Sequence, residues 1–311
     1  MPAKLGPVLR RTEGGAHPSY YSNHFRPKEH CKDCPDGAGL SLTVFFPGLG
    51  DDVVDHEFTY DAASQEAQAG FQRRLGERID PTARPPGAAG PAAPPCCLQL
   101  LFAVELDPRR TVNENAQDVA KELLGIVERA VRPPSSWIRE ICFHLIGFSA
   151  GGLVAIDTAK VASERLIARQ GRCAWPREPG QMWCGRPAPP EVRVGFDVVT
   201  IASPYDGFVL EFLPELGLLF SCLAPDSRFF NSVGARDYGG GAKPACLRRF
   251  TAFVTAADAD DEAGGQQPGD GVAGWGAEPV DVPGTSHLIA LLRVHQDQYV
   301  RHIELGCGCG E

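Results

Sequence analysis

The stretch "FHLIGFSAGGLVAID", residues 143–157, decides how the chain is read. An apolar run ends at Gly147, a serine stands between small residues, and a second apolar run begins. Ser149 is either a nucleophile on a sharp strand-to-helix turn or a polar residue capping a helix. Gly147-Phe148-Ser149-Ala150-Gly151 is a GxSxG. On such a turn the serine backbone is strained, the hydroxyl projects from the sheet, and the flanking glycines let strand and helix approach. Five residues alone arise by chance, so the flanks must carry the distinction. "EICFHLIGFS" (140–149) reads as a buried strand, and "GGLVAIDTAKVASERLIAR" after it reads as a helix.

Working outward, further strands are expected in "LSLTVFFPG" (40–48), "CCLQLLFAVEL" (96–106), "VRVGFDVVTIASP" (192–204), "LRRFTAFVTA" (247–256) and "EPVDVPG" (278–284). "VNENAQDVAKELLGIVERAV" (112–131) places Val112, Ala116, Val119, Leu123, Ile126, Val127 and Ala130 on one helix face. "HLIALLRVHQDQYVRHIE" closes with a helix. Alternating strands and helices imply an α/β fold with a mainly parallel sheet covered on both faces. Residues 1–38 read as an irregular lead-in to a domain over 39–311. The Pro/Ala/Gly tract 81–95 reads as a surface loop or spacer. Segments 170–191 and 205–235 are candidate cap or lid insertions.

A net charge of -9 over 311 residues argues against a nucleic-acid surface. The first residues hold no apolar signal core, and no apolar run reaches the roughly 20 residues of a membrane helix, so a soluble, cytoplasmic protein is expected. The eleven cysteines are then expected as reduced thiols rather than a disulfide framework. Cys31, Cys34, Cys307 and Cys309 offer four thiolates to a zinc ion if the termini meet, but their spacing lacks two local knuckles, so no metal is assigned.

Ligands in such folds sit at the carboxyl ends of the strands. A serine hydroxyl needs a base, and His287 in "PGTSHLIALL" follows the last strand, where a loop can reach back to Ser149. His144 lies inside a strand and is read as structural. The base needs an acid. Asp270, in "GDGVA", is preferred to Asp258, which follows the preceding strand most closely. Oxyanion donors are expected from the N–H groups of Ala150, after the nucleophile, and Leu49, in "FFPGLGDD". The plain alternative for the latter is an ordinary Pro-Gly turn.

Four places, "FFPGLGDD", "LIGFSAGG", "VVTIASPYDG" and "GDGVAG…VPGTSH", together resemble the α/β-hydrolase superfamily, and within it lipases and serine esterases. The oxyanion loop departs by having Pro47-Gly48 where many lipases have His-Gly, and the acidic run before Asp270 is longer than usual. The resemblance implies a Ser149–His287–Asp270 triad hydrolysing carboxylic esters through an acyl-enzyme, without a cofactor. It also implies an apolar cover after "ASPYDG", where Phe208 and Phe212 with Phe148 line an acyl pocket, or a lid that touches a lipid surface transiently. The partner is then a small ester or lipid. Acyl transfer, thioester hydrolysis and a non-catalytic binding protein on the same scaffold stay open, as does oligomeric state.

Overall fold

The structure is a computed structural model. It describes residues 9–10, 12–14, 17–19, 21–22, 31–48, 60–79, 96–104, 106–107, 110–203, 242–255, 275, 277–282 and 293–307. The first described elements are four short strands, β1 (Leu9–Arg10), β2 (Thr12–Gly14), β3 (His17–Ser19) and β4 (Tyr21–Ser22). Then come β5 (Ala38–Phe46), α1 (Tyr60–Ile79), β6 (Cys97–Val104), α2 (Val112–Ala130), β7 (Ile138–Phe148) and α3 (Ala150–Gln170). A small excursion follows: β8 (Ala174–Pro176), β9 (Met182–Trp183) and β10 (Arg186–Pro187). The last described elements are β11 (Glu191–Ile201), β12 (Leu247–Thr255), β13 (Glu278–Val282) and α4 (Arg293–His302).

Six strands run parallel in the order β6-β5-β7-β11-β12-β13. The first of them in the chain, β5, lies inside the sheet, so the path reverses between β5 and β7. That is the topological switch point, where the outgoing loops diverge and leave a crevice. The step from β5 to β6 runs opposite to the steps from β6 to β7 and from β7 to β11. With right-handed crossovers the intervening helices must fall on opposite faces. They do. Side chains alternate along β5: Leu40, Leu42, Val44 and Phe46 pack under α2 and α3, whereas Phe45 faces Phe71, Leu75 and Ile79 of α1 and Tyr299 of α4. This is the mainly parallel α/β sheet, covered by helices on both faces, that the sequence implied.

Helix α2 starts where a capping box requires. Thr111 Oγ1 accepts from the Glu114 N–H at 3.1 Å, and Glu114 Oε2 accepts from the Thr111 N–H at 2.9 Å. Helix α1 has no counterpart among the sequence expectations. Its buried large residues, Phe71, Leu75 and Ile79, recur every fourth position, a spacing the sequence does show.

Three expectations are corrected here. The irregular lead-in contains strands: β1 and β4 pair antiparallel with β6, and β2 with β3. Segments of two or three residues are too short to show a period, so their pairing with an available edge is invisible in sequence. Residues 170–191 contain β8 to β10, and β8 pairs with Glu191–Arg193 at the start of β11. Trp183 Nε1 donates to the Cys34 carbonyl at 2.8 Å, and this segment lies at the end of the sheet opposite Ser149. The other candidate cover, 205–235, lies outside the described residues.

The third correction concerns the cysteines. The described ones are oxidised: Cys31–Cys184, Cys34–Cys96, Cys97–Cys307 and Cys173–Cys246 are disulfides, and Cys142 is disulfide-bonded as well. Cys31, Cys34 and Cys307 thus enter three different bonds and are not joint zinc ligands. The bonds gather at the N-terminal ends of the strands. Cys97 opens β6 opposite Gly39, and the Cys173 and Cys246 carbonyls accept from Val194 and Phe196 in the first half of β11. After α4 the chain crosses this region extended, and its carbonyls need donors. The Leu305 carbonyl accepts from Ser41 Oγ and Gln99 Nε2, and the Gly306 carbonyl lies 3.0 Å from His144 Nε2. No described helix is long and apolar enough to cross a membrane.

Candidate active site

Strand β7 ends at Phe148 and α3 begins at Ala150, which leaves one residue for the turn. That residue is Ser149, at φ 53 and ψ -133. A non-glycine residue in this region costs about 1–3 kcal/mol and persists only when its surroundings impose it. They do so from two sides. The Ser149 N–H donates to the Ile201 carbonyl at 2.9 Å, and the Gly152 N–H donates to the Ser149 carbonyl at 2.9 Å. The side chain makes no capping hydrogen bond to α3, so the capping alternative fails.

The glycines of the motif are steric requirements. A Cβ on Gly147 would stand 2.4 Å from the Gly152 Cα, and one on Gly151 would stand 2.2 Å from the Pro47 carbonyl oxygen. The strand, the helix and the loop after β5 therefore meet with no room for a methyl group. At Gly48 a Cβ would lie 3.1 Å from the Ser149 Cβ, so the Pro47-Gly48 turn stands directly beside the serine. Ala150 opens α3, where first-turn N–H groups lack an intrahelical acceptor and the helix dipole is positive. The first turn of α3 carries no acidic side chain to offset that charge.

A third strand end joins the site. Ala202, just past β11, is also left-handed at φ 50, and its N–H donates to the Phe253 carbonyl at 3.0 Å. A Cβ on Gly152 would fall 1.9 Å from Ser203 Oγ. The ends of β5, β7 and β11 thus converge at the switch point, with Ser149 between them. It is 8% exposed. Phe148, expected to line the acyl pocket, is 7% exposed and packs into the apolar cluster under α1 and α4. The remaining expected site residues, His287, Asp270, Asp258, Leu49, Phe208 and Phe212, lie outside the described residues.

One His–Asp pair is described, and it is not a catalytic one. His144 Nδ1 lies 3.2 Å from Asp197 Oδ2, while Nε2 faces the Gly306 carbonyl. Both ring nitrogens face acceptors, and five residues of strand, about 16 Å, separate the ring from Ser149. The reading of His144 as structural matches this placement. Arg248 completes the cluster, its Nη2 2.6 Å from Asp197 Oδ2 and its Nε 3.1 Å from Oδ1. Burial by itself pushes the Asp197 carboxyl up, but the His144 ring and the Arg248 guanidinium outweigh it and hold the group below its ordinary value of 3.8.

A depressed carboxylate contributes stability above its unfolded pKa and loses that contribution as pH falls through the folded one. Asp197→Asn is therefore expected to cost about 2–4 kcal/mol at pH 7, since it removes the buried charge that the Arg248 guanidinium and the His144 ring both face. That difference should shrink as the pH is lowered below 3.8, where the carboxylate of the unfolded wild-type chain takes up its proton before that of the folded chain does. Urea denaturation of both proteins between pH 7 and pH 3 measures it. A difference that stays constant over this range would show that Asp197 charge contributes nothing.

Residues that the sequence did not single out also shape the site. Ala202 follows from no motif, since nothing in "IASP" announces a left-handed alanine. Gln68, 2% exposed on α1, accepts the Gly48 N–H at its Oε1, 3.1 Å away. Among the described residues no group of His, Cys, Asp or Glu is arranged to hold a metal.

No protein-family model matches the chain, and no curated protein matches it in sequence. Among solved structures it is similar to the thioesterase domain of NocB from the nocardicin cluster, at 15% identity and a TM-score of 0.43, covering 91% of this chain and 95% of that one. It is similar also to RedJ, a thioesterase from the prodiginine pathway of Streptomyces coelicolor, at 16% identity and a TM-score of 0.42, covering 86% and 85%. A third is BorB, a type II thioesterase from the borrelidin cluster, at 14% identity and a TM-score of 0.39, covering 90% and 93%.

Proposed function

We propose that the chain is a serine hydrolase that opens an acyl ester or acyl thioester through an acyl-enzyme on Ser149. The observation that carries this reading is the left-handed serine itself, held at φ 53 between β7 and α3 at the switch point of the sheet. Strain of this kind clusters at functional sites, and here the residue that carries it is a serine on a strand-to-helix turn. In the proposed cycle Ser149 Oγ attacks the acyl carbon as its proton passes to His287, which Asp270 orients, with Asp258 the alternative acid. The tetrahedral oxyanion accepts hydrogen bonds from the Ala150 and Leu49 N–H groups. His287 then gives the proton to the departing alcohol or thiol. Water attacks the acyl-enzyme by the same route and releases the acid.

Nothing in that sequence of steps distinguishes oxygen from sulfur in the leaving group. The carboxylic ester remains the first substrate class and the thioester the second, which is the class in the names of the solved structures above. A lipid ester is the narrower form of the first and rests on the apolar run 208–223, with Phe208 and Phe212 against the acyl chain. The cytoplasmic expectation rested on the lack of an apolar signal core and membrane-length run, and reduced thiols followed from it. The disulfides instead support maturation in an oxidising compartment.

A fluorophosphonate probe tests the reading. The wild-type chain is expected to be labelled once, at Ser149, and Ser149→Ala not at all. Matched p-nitrophenyl esters and acyl thioesters of rising chain length then assign the leaving-group class by kcat/KM. Well-folded wild type that takes no label would favour a binding protein on a hydrolase scaffold and sink the proposal.

A further inference from the structure

We infer that Gln68 is a positioning residue for the proposed reaction, one that fixes the peptide beside the nucleophile by holding the Gly48 N–H. The inference rests on the reading of Ser149 as the nucleophile. It starts from an accounting of hydrogen bonds where β5 leaves the sheet. Pro47 has no N–H, and Gly48 lies past the last residue of β5. The Gly48 N–H is buried and so needs an acceptor from elsewhere in the fold. Gln68 Oε1 supplies it at 3.1 Å from across the switch point.

The placement of Gln68 is itself determined. It lies three residues before Phe71, on the face of α1 that packs into the sheet, where a leucine would suit the core better than an amide. A buried amide is costly unless it is bonded. From the far side, Gln296 Nε2 of α4 donates to the carbonyl of Ala67 at 2.9 Å, and α4 thereby locks α1 at the turn that carries Gln68. Two glutamines, each 2% exposed, link α4 to α1 and α1 to the Pro47-Gly48 turn. That turn touches the serine: a Cβ at Gly48 would be 2.9 Å from the Phe148 ring and 3.1 Å from the Ser149 Cβ.

The direction of the bond matters for chemistry. With its N–H committed to α1, Gly48 is not the oxyanion donor, and the N–H that follows it takes that role in the proposed mechanism. Without the acceptor at position 68 the peptide is free to rotate toward the serine. A misplacement of about 1 Å at such a site costs on the order of 100-fold in rate. The loss should fall on kcat, because the oxyanion exists only in the transition state and the intermediates.

The experiment compares wild type with Gln68→Leu and Gln68→Glu, in the full chain, with activity expressed per fluorophosphonate-titrated site. Q68L is expected to lower kcat about 10- to 100-fold with KM within threefold. A boronic acid that binds Ser149 as a tetrahedral adduct should weaken by the same factor. Q68E keeps an acceptor oxygen at the same place and should restore most of kcat. Should Q68L not fold, Gln68→Asn, one methylene short of Gly48, reads the same loss. A Q68L kcat per titrated site equal to wild type overturns the inference, as does a loss that Q68E does not restore. Failure of the wild type to label at Ser149 is a different result, and it removes the proposed function first.

Discussion

Ser149→Ala is expected to lower kcat by about four to six orders of magnitude while leaving the chain folded. The size follows from the way the proposed groups act together: once the nucleophile is gone, base and acid have nothing to activate, and only binding and oxyanion stabilisation remain. The backbone adds a second expectation of opposite sign. At φ 53 any side chain is strained, and glycine is not. Ser149→Gly should therefore gain about 1 kcal/mol of stability, the relief of strain less the greater freedom glycine has when unfolded. Steady-state kinetics and urea midpoints on the same preparations read both effects. Activity of Ser149→Ala above about one hundredth of wild type would mean that another residue carries the chemistry.

Reduction should do to the fold what loss of Ser149 does to activity. The described disulfides close chain segments of 62, 73, 153 and 210 residues. In the chain-entropy account, each bond over such a span restricts the unfolded state by about 4–5 kcal/mol, and measured losses are about 2–5 kcal/mol. Domains of this kind are stable by only about 5–15 kcal/mol. Losing several bonds at once thus exceeds the margin. Dithiothreitol is expected to unfold the chain at 37 °C, seen as loss of the helical circular dichroism and a fall in the urea midpoint. Before reduction, alkylation under denaturing conditions should find few free thiols. Free thiols at nearly all eleven cysteines would remove the framework altogether.

These bonds are also where sequence reading went furthest astray. The six parallel strands were legible because each is a run rich in β-branched and aromatic residues closed by a turn, and burial on both faces leaves no competing period. Ser149 was legible because its motif sits between two such elements. The cysteines offered no comparable pattern, since partners 62 to 210 residues apart are set by the finished topology and not by spacing. Helix α1 was missed for a milder reason: Phe71, Leu75 and Ile79 recur correctly, but glutamine, alanine and arginine dilute them. Gln68 could not have been found at all. Its task is defined by the Gly48 N–H, and nothing local announces that a loop 20 residues upstream is short of an acceptor.

Cys96 and Cys97 are neighbours with opposite destinations. The first bonds back to Cys34 and the second forward to Cys307. Successive residues of a strand point to opposite faces, and a slip of one residue exchanges them all. Were Cys97 to take Cys34, β6 would be drawn one place along, and Leu101 would change sides with its neighbours. The selection between two adjacent sulfur atoms is therefore also the selection of which side of an edge region meets the interior. A newly made chain has Cys34 at hand when Cys96 and Cys97 emerge, but Cys307 arrives 210 residues after Cys97. For that interval Cys97 either stays a thiol or enters a bond that thiol–disulfide exchange must later move to Cys307.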